Sequence, residues 1–114
     1  RIMISKELKD YLFTFGLSYK YRGFPWLMIA LEIIERDVMA LGMIKDTIYL
    51  QIAEDVNTNI ACIERNFRTL SEIAFNTNKT ALEEIMGTTL ERRLRVSDFL
   101  CVLHEGYERY KAAQ

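Results

Sequence analysis

Apolar positions along the 114-residue chain recur at three- and four-residue steps, the spacing of helices with one buried face. Alternation at every second residue, the mark of a half-buried strand, is weak throughout. The clearest stripe is Ile60, Ile63, Phe67, Leu70 and Ala74, which fall on one side of a helix at about 100° per residue. Local signals divide the rest. Ser5 caps a first helix to about Phe15, closed by Gly16. Gly23-Phe24-Pro25 opens a long second helix, with Pro25 in the first turn where its missing N–H costs nothing, and Gly42 ends it. Helices over Lys45–Val56 and Asn59–Phe75 follow. Asn76-Thr77-Asn78 breaks the chain, Thr80 caps a short helix closed by Gly87, and Thr88–Val96 reads as a loop. Ser97 caps a last helix to about Lys111. The expected fold is all-α, a compact bundle of about six helices in a single domain spanning residues 1–114.

Two of these helices, within residues 45–75, meet at the short turn Asn57-Thr58-Asn59, as a helix-turn-helix does. The small Ala53 lets the helices approach, and four residues later Asn57 tolerates the left-handed backbone of a sharp turn. Ile52, Val56 and Ile63 pack the bend, whereas Thr58 and Asn66 hold two places that are usually apolar. On the second helix, residues 59–75, Arg65 and Glu72 project nearly opposite the apolar stripe. Ala61, Cys62, Arg68 and Thr69 share that outer surface, with Glu64 on its flank. Arginine can pair bidentately with guanine, and glutamate can accept from cytosine. An ordinary amphipathic helix with a solvated charged face presents the same pattern.

The charge balance opposes a nucleic-acid partner: 15 Lys and Arg against 16 Asp and Glu give a formal net charge of −1, where phosphate contacts usually come from a basic surface. Clustering matters more than the total. Basic groups gather at Lys20-Tyr21-Arg22, at Arg65 and Arg68, and at Arg92, Arg93 and Arg95. Acidic ones sit elsewhere, at Glu32, Glu35, Asp37, Glu54-Asp55 and Glu83-Glu84. Tyr19, Tyr21, Phe24 and Trp26 read as helix-entry packing, with a backbone contact to DNA as the alternative for Tyr19 or Tyr21.

Catalysis has little to stand on. His104 is the single histidine, no Cys/His cluster has metal-ligand spacing, and no glycine-rich phosphate loop occurs. We expect no enzyme activity, no metal and no cofactor. Cys62 and Cys101 are too few for a disulfide framework and read as reduced thiols. The most apolar run, Phe24 to Ile34, is interrupted by Glu32 and too short to span a bilayer, so no membrane partner and a cytoplasmic location are expected. The chain starts at Arg1 and carries no receiver-like βα pattern, which is expected of a fragment of a longer regulator or a processed chain.

A wider set of residues then comes into register: Gly16, Arg22-Gly23, Trp26-Leu27, Leu41-Gly42 and Ile44, then Tyr49, Ile52-Ala53, Asn57-Thr58, Ile63-Glu64-Arg65, Arg68, Glu72 and Ala74, and finally Gly87 and Ser97-Asp98-Phe99. In order and spacing, from about Leu8 to Tyr107, they resemble the C-terminal DNA-binding effector domain of the stage zero sporulation protein A family of response regulators. The resemblance implies a six-helix domain whose helix-turn-helix binds double-stranded DNA at a TGTCGAA-like box as a transcription regulator, often as a homodimer on tandem boxes. The family's recognition helix carries an arginine, then Glu-Arg, then Arg-His. Glu64, Arg65 and Arg68 match, but Cys62 stands in place of the first arginine and Thr69 in place of the histidine. Where the family has Lys-Pro-Thr-Asn before its last helix, this chain has Arg92-Arg93-Leu94-Arg95-Val96. Arg93 is expected to hold a DNA phosphate. The last helix lines up Phe99, Leu103, Tyr107 and Tyr110, of which Tyr107 and Tyr110 are the candidates for a partner surface. The alternative reading is a helical protein-interaction module that kept the fold and lost DNA binding.

Overall fold

A computed structural model describes residues 5–114. It holds five α-helices and, among the described residues, no strand: α1 (Lys6–Phe13), α2 (Phe24–Arg36), α3 (Leu50–Val56), α4 (Ile60–Met86) and α5 (Val96–Ala112). A 3₁₀ turn (Val38–Gly42) and a π turn (Ile44–Tyr49) link α2 to α3. The all-α expectation holds, with a helix count close to the six expected.

The core organises around α2. Phe24, Trp26, Leu27, Met28, Ala30, Leu31, Ile33 and Ile34 are all buried, so this helix is apolar on nearly every side and is enclosed by the others. Its neighbours contribute Leu12 from α1, Ile48 from the π turn, Ile52 from α3, Phe67 from α4, and Phe99 and Leu103 from α5, and the buried side chains form one cluster. The Cα radius of gyration of 13.1 Å matches the roughly 13 Å of a folded chain near this length.

Several boundaries move from where local signals place them. The second helix stops at Arg36 instead of Gly42, because Asp37 turns extended (φ −150°, ψ 93°) and its carboxylate accepts from the Met39 amide at 3.1 Å. That bond caps the 3₁₀ turn and restarts the chain in another direction. The break expected at residues 76–78 is present as a sharp kink at Asn78, across which two helical segments run together as α4. Only Asn78 leaves helical geometry (φ −147°, ψ 59°), and its Oδ1 accepts from the Ala81 amide at 3.3 Å. Asn78, not Thr80, therefore caps the segment that Gly87 closes in left-handed backbone (φ 75°). The last helix begins one residue before Ser97, with Arg95 at the cap position and no side-chain cap.

Tyr107 and Tyr110 do not form a free surface. Tyr107 is 4% exposed, its ring lies 5.3 Å from that of Tyr11, and its hydroxyl pairs with the Ser5 hydroxyl at 3.2 Å. Tyr110 is half-buried at the same distance from Tyr11. Both close the contact between α5 and α1, because the N-terminal helix folds back over the end of the last one.

Candidate nucleic-acid interface

The turn between α3 and α4 is built as its residues suggest. Asn57 is left-handed (φ 54°, ψ 54°), the one non-glycine residue with positive φ among those described. The amides of Asn57 and Thr58 both return to the Ala53 carbonyl, which closes α3 over the small side chain. Asn59 is extended, and its Oδ1 accepts from the Cys62 amide at 2.9 Å, starting α4. The preceding helix differs from expectation: the stretch from Lys45 is split into the π turn and seven residues of α3. The wider turn buries Ile48 and Tyr49, and sets the Tyr49 ring 5.9 Å from Phe67 of α4.

Along the first half of α4 the two faces separate cleanly. Ile63, Phe67, Leu70 and Ala74 are buried, and Ile60 is half-buried against the core. Arg65, Arg68, Thr69, Glu72 and Ala61 are exposed. Glu64 is half-buried on the flank, with its carboxylate 3.7 Å from the Arg68 guanidinium one turn on. Thr69 donates its hydroxyl back to the Arg65 carbonyl at 3.2 Å. Arg65 has no ion pair within 4 Å among the described residues, so its guanidinium is available to a ligand.

Cys62 is half-buried, not outward-facing, because Asn66 leans over it: the amide nitrogen donates to the Cys62 carbonyl at 2.9 Å and lies 3.7 Å from its sulfur. The same contact explains a polar residue at this usually apolar place. Gly23, at the entry to α2, faces Asn66 so closely that a methyl group on it would come within 2.8 Å of the Asn66 Cβ. Absence of a side chain at Gly23 lets α2 and α4 close around Asn66.

Arg93 is brought to this face by the loop before α5. Ser71, a buried polar side chain of α4, donates to the Leu94 carbonyl at 2.7 Å, and Glu83 accepts from the Leu90 amide at 2.8 Å. These bonds lay the loop along α4. A cavity of about 400 Å³ opens between them, lined by Lys45, Glu64, Arg68, Arg93, Arg95 and Ser97 with Tyr49 at its wall. A second groove holds Arg92 and Arg93 beside Glu72. Burial, followed by the nearby Glu64 charge, holds the Tyr49 hydroxyl well above the usual phenol range, while Arg68 opposes the shift.

Sequence reasoning missed Lys45 and Ser71, whereas Arg95 was already grouped with Arg68 on one basic face. Arg95 was visible in the basic run, but its position depends on the Ser71 bond, which has no local signature. Lys20 and Arg22 are not brought to the cavity. They lie over the rings of Tyr21 and Trp26, at 5.6 and 5.4 Å. Among the described residues no group of three or more His, Cys, Asp or Glu could hold a metal ion, and no helix is long and apolar enough to cross a membrane.

No curated protein matches the chain. Residues 8–105 match the family described as "Sporulation initiation factor Spo0A C terminal", a family of DNA-binding effector domains and not of enzymes. The match covers most of the chain, including the turn at Asn57, the outward face of α4 and the basic loop before α5, and the chain therefore belongs to the Spo0A C-terminal domain family.

Proposed function

We propose that this protein is a sequence-specific transcription regulator that places the first half of α4 in the major groove of duplex DNA. One observation carries the reading: Arg65, Arg68 and Thr69 stand exposed on the helix that follows a left-handed turn, opposite the buried Ile63, Phe67, Leu70 and Ala74. Arg65 is the base reader, pairing with a guanine through two N–H donors. Glu64 accepts from a cytosine or orients Arg68, to which it is already paired. Arg93 holds a backbone phosphate. The target is a TGTCGAA-like box, altered where Cys62 and Thr69 replace the family's arginine and histidine. Two copies occupy tandem boxes as a homodimer, inside the cytoplasm of the cell.

Fluorescence anisotropy tests this with a TGTCGAA-like duplex and a scrambled one at two salt concentrations. Preferential binding to the box, weakening steeply as salt rises, is the expected result. Equal weak binding to both would favour a protein-interaction module instead, a reading supported by the exposed Val38, Met39 and Met43 beside α2.

A further inference from the structure

The cavity beside α4 brings four cations, Lys45, Arg68, Arg93 and Arg95, around one carboxylate, Glu64. Three of the four already have a partner within the chain. Arg68 is paired with Glu64 at 3.7 Å, and Arg93 donates to the Leu94 carbonyl at 3.4 Å. Lys45 has no ion pair among the described residues, and Arg95 lies 3.7 Å from Asp98, the same separation as Arg68 from Glu64, with its side chain 85% exposed. Three different elements supply these charges: the π turn, α4, and the loop entering α5. At the same opening α5 starts without a side-chain cap, so its first-turn amides add donors where an anion would sit.

From this we infer that Lys45 and Arg95 form a seat for one backbone phosphate of the duplex, fixing the register of α4 in the groove. This rests on the DNA-binding reading and deepens it. Lys45 is outside the residues that carry the family resemblance, and Arg95 lies in the basic segment where this chain departs from the family's Lys-Pro-Thr-Asn. An oxygen-rich dianion or diester fits the chemistry, because the four cations outnumber the two carboxylates beside them, Glu64 next to Arg68 and Asp98 next to Arg95. A backbone diester is the occupant we favour, since the seat adjoins Arg68 on the flank of the exposed face. Its phosphate would therefore lie next to the bases that the helix contacts.

The test measures binding of the purified chain to the box and scrambled duplexes across a salt series, for wild type, Lys45→Ala, Arg95→Ala and Lys45→Arg. Each alanine variant should weaken both duplexes alike, by about threefold to tenfold, and make the log affinity against log salt slope shallower by about 0.9. Lys45→Arg should keep the wild-type slope. A neutral methylphosphonate walked along the box should, at one phosphate, erase the difference between wild type and Lys45→Ala. Circular dichroism melts should coincide, because both side chains are exposed. Unchanged slopes in both alanine variants, with wild type still preferring the box, would overturn the seat and leave the DNA reading standing. Weakened variants with no sensitive methylphosphonate position would also overturn it, since the charges would then act only as a diffuse field. Displacement of DNA by inorganic phosphate at matched ionic strength would reassign the cavity to free anions. A wild type that ignores both sequence and salt would remove the seat together with the reading beneath it.

Discussion

Arg65 and Arg93 are both basic, yet their surroundings assign them different work. Arg65 projects into solvent from the second turn of α4, so it can meet a base edge without rearrangement. Arg93 lies half-buried between two grooves, tethered through its neighbour Leu94. Arg65→Ala is therefore expected to lose about 1–3 kcal/mol of discrimination at one base pair with no change in melting temperature. Arg93→Ala should weaken box and scrambled duplexes equally. Competition anisotropy on single-base box variants separates the two, and an unchanged specific-to-scrambled ratio for Arg65→Ala would refute its role. The outward placement of Arg65, Arg68 and Thr69 was legible from helical period alone. The partial burial of Cys62 was not, because it depends on Asn66 and on the missing side chain of Gly23, which belong to different helices.

At the scale of elements, the helices were legible where their apolar stripes were long, and their ends were not where capping came from an unexpected side chain. Asp37 and Asn78 each end or bend a helix by accepting backbone amides, a role any Asp or Asn can take in solution-facing sequence. The π turn had no signature at all, since Ile44–Tyr49 reads as ordinary helix. Asn78 does a second job: its amide nitrogen donates to the Thr14 carbonyl at 3.0 Å, tying the bend of α4 to the end of α1. Asn78→Ala should cost about 0.5–2 kcal/mol, the usual loss for a helix cap, read as a lower urea midpoint at an unchanged m-value. Thr80→Ala, at the position first expected to cap, should be near neutral. A larger effect at Thr80 than at Asn78 would contradict the cap assignment.

For the whole molecule, burial of phenols sets a limit on alkaline stability. Tyr11 donates to the Leu103 carbonyl at 2.8 Å, and burial lifts both Tyr11 and Tyr49 far above the ordinary phenol range. Their folded-state pKa values are raised, so the associated stability is intact below about pH 10 and is lost as pH rises beyond it, where the unfolded chain ionises first. Thermal melts across that range should show a decline that Tyr11→Phe makes shallower, from a lower starting point because the Leu103 bond is gone. An equally steep decline in Tyr11→Phe would exclude that phenol as its source. With Tyr107 and Tyr110 engaged by Tyr11, the free chain is expected to be a monomer or weak dimer by sedimentation, and two copies should gather on adjacent boxes when DNA raises their local concentration. Gel shifts with one-box and two-box duplexes check this: filling that ignores box spacing would remove the homodimer.

The length of α4 has a further consequence. Its outward arginines and its buried Phe67, Leu70 and Ala74 are carried on one uninterrupted stretch of helix, from the turn at Asn57 to the kink at Asn78. A surface mounted this way has no private order–disorder equilibrium, because unwinding it would open the core. Amide hydrogens of Phe67 and Leu70 should then exchange only through global opening, and a DNA ligand would slow their exchange by the same factor as that of Leu103.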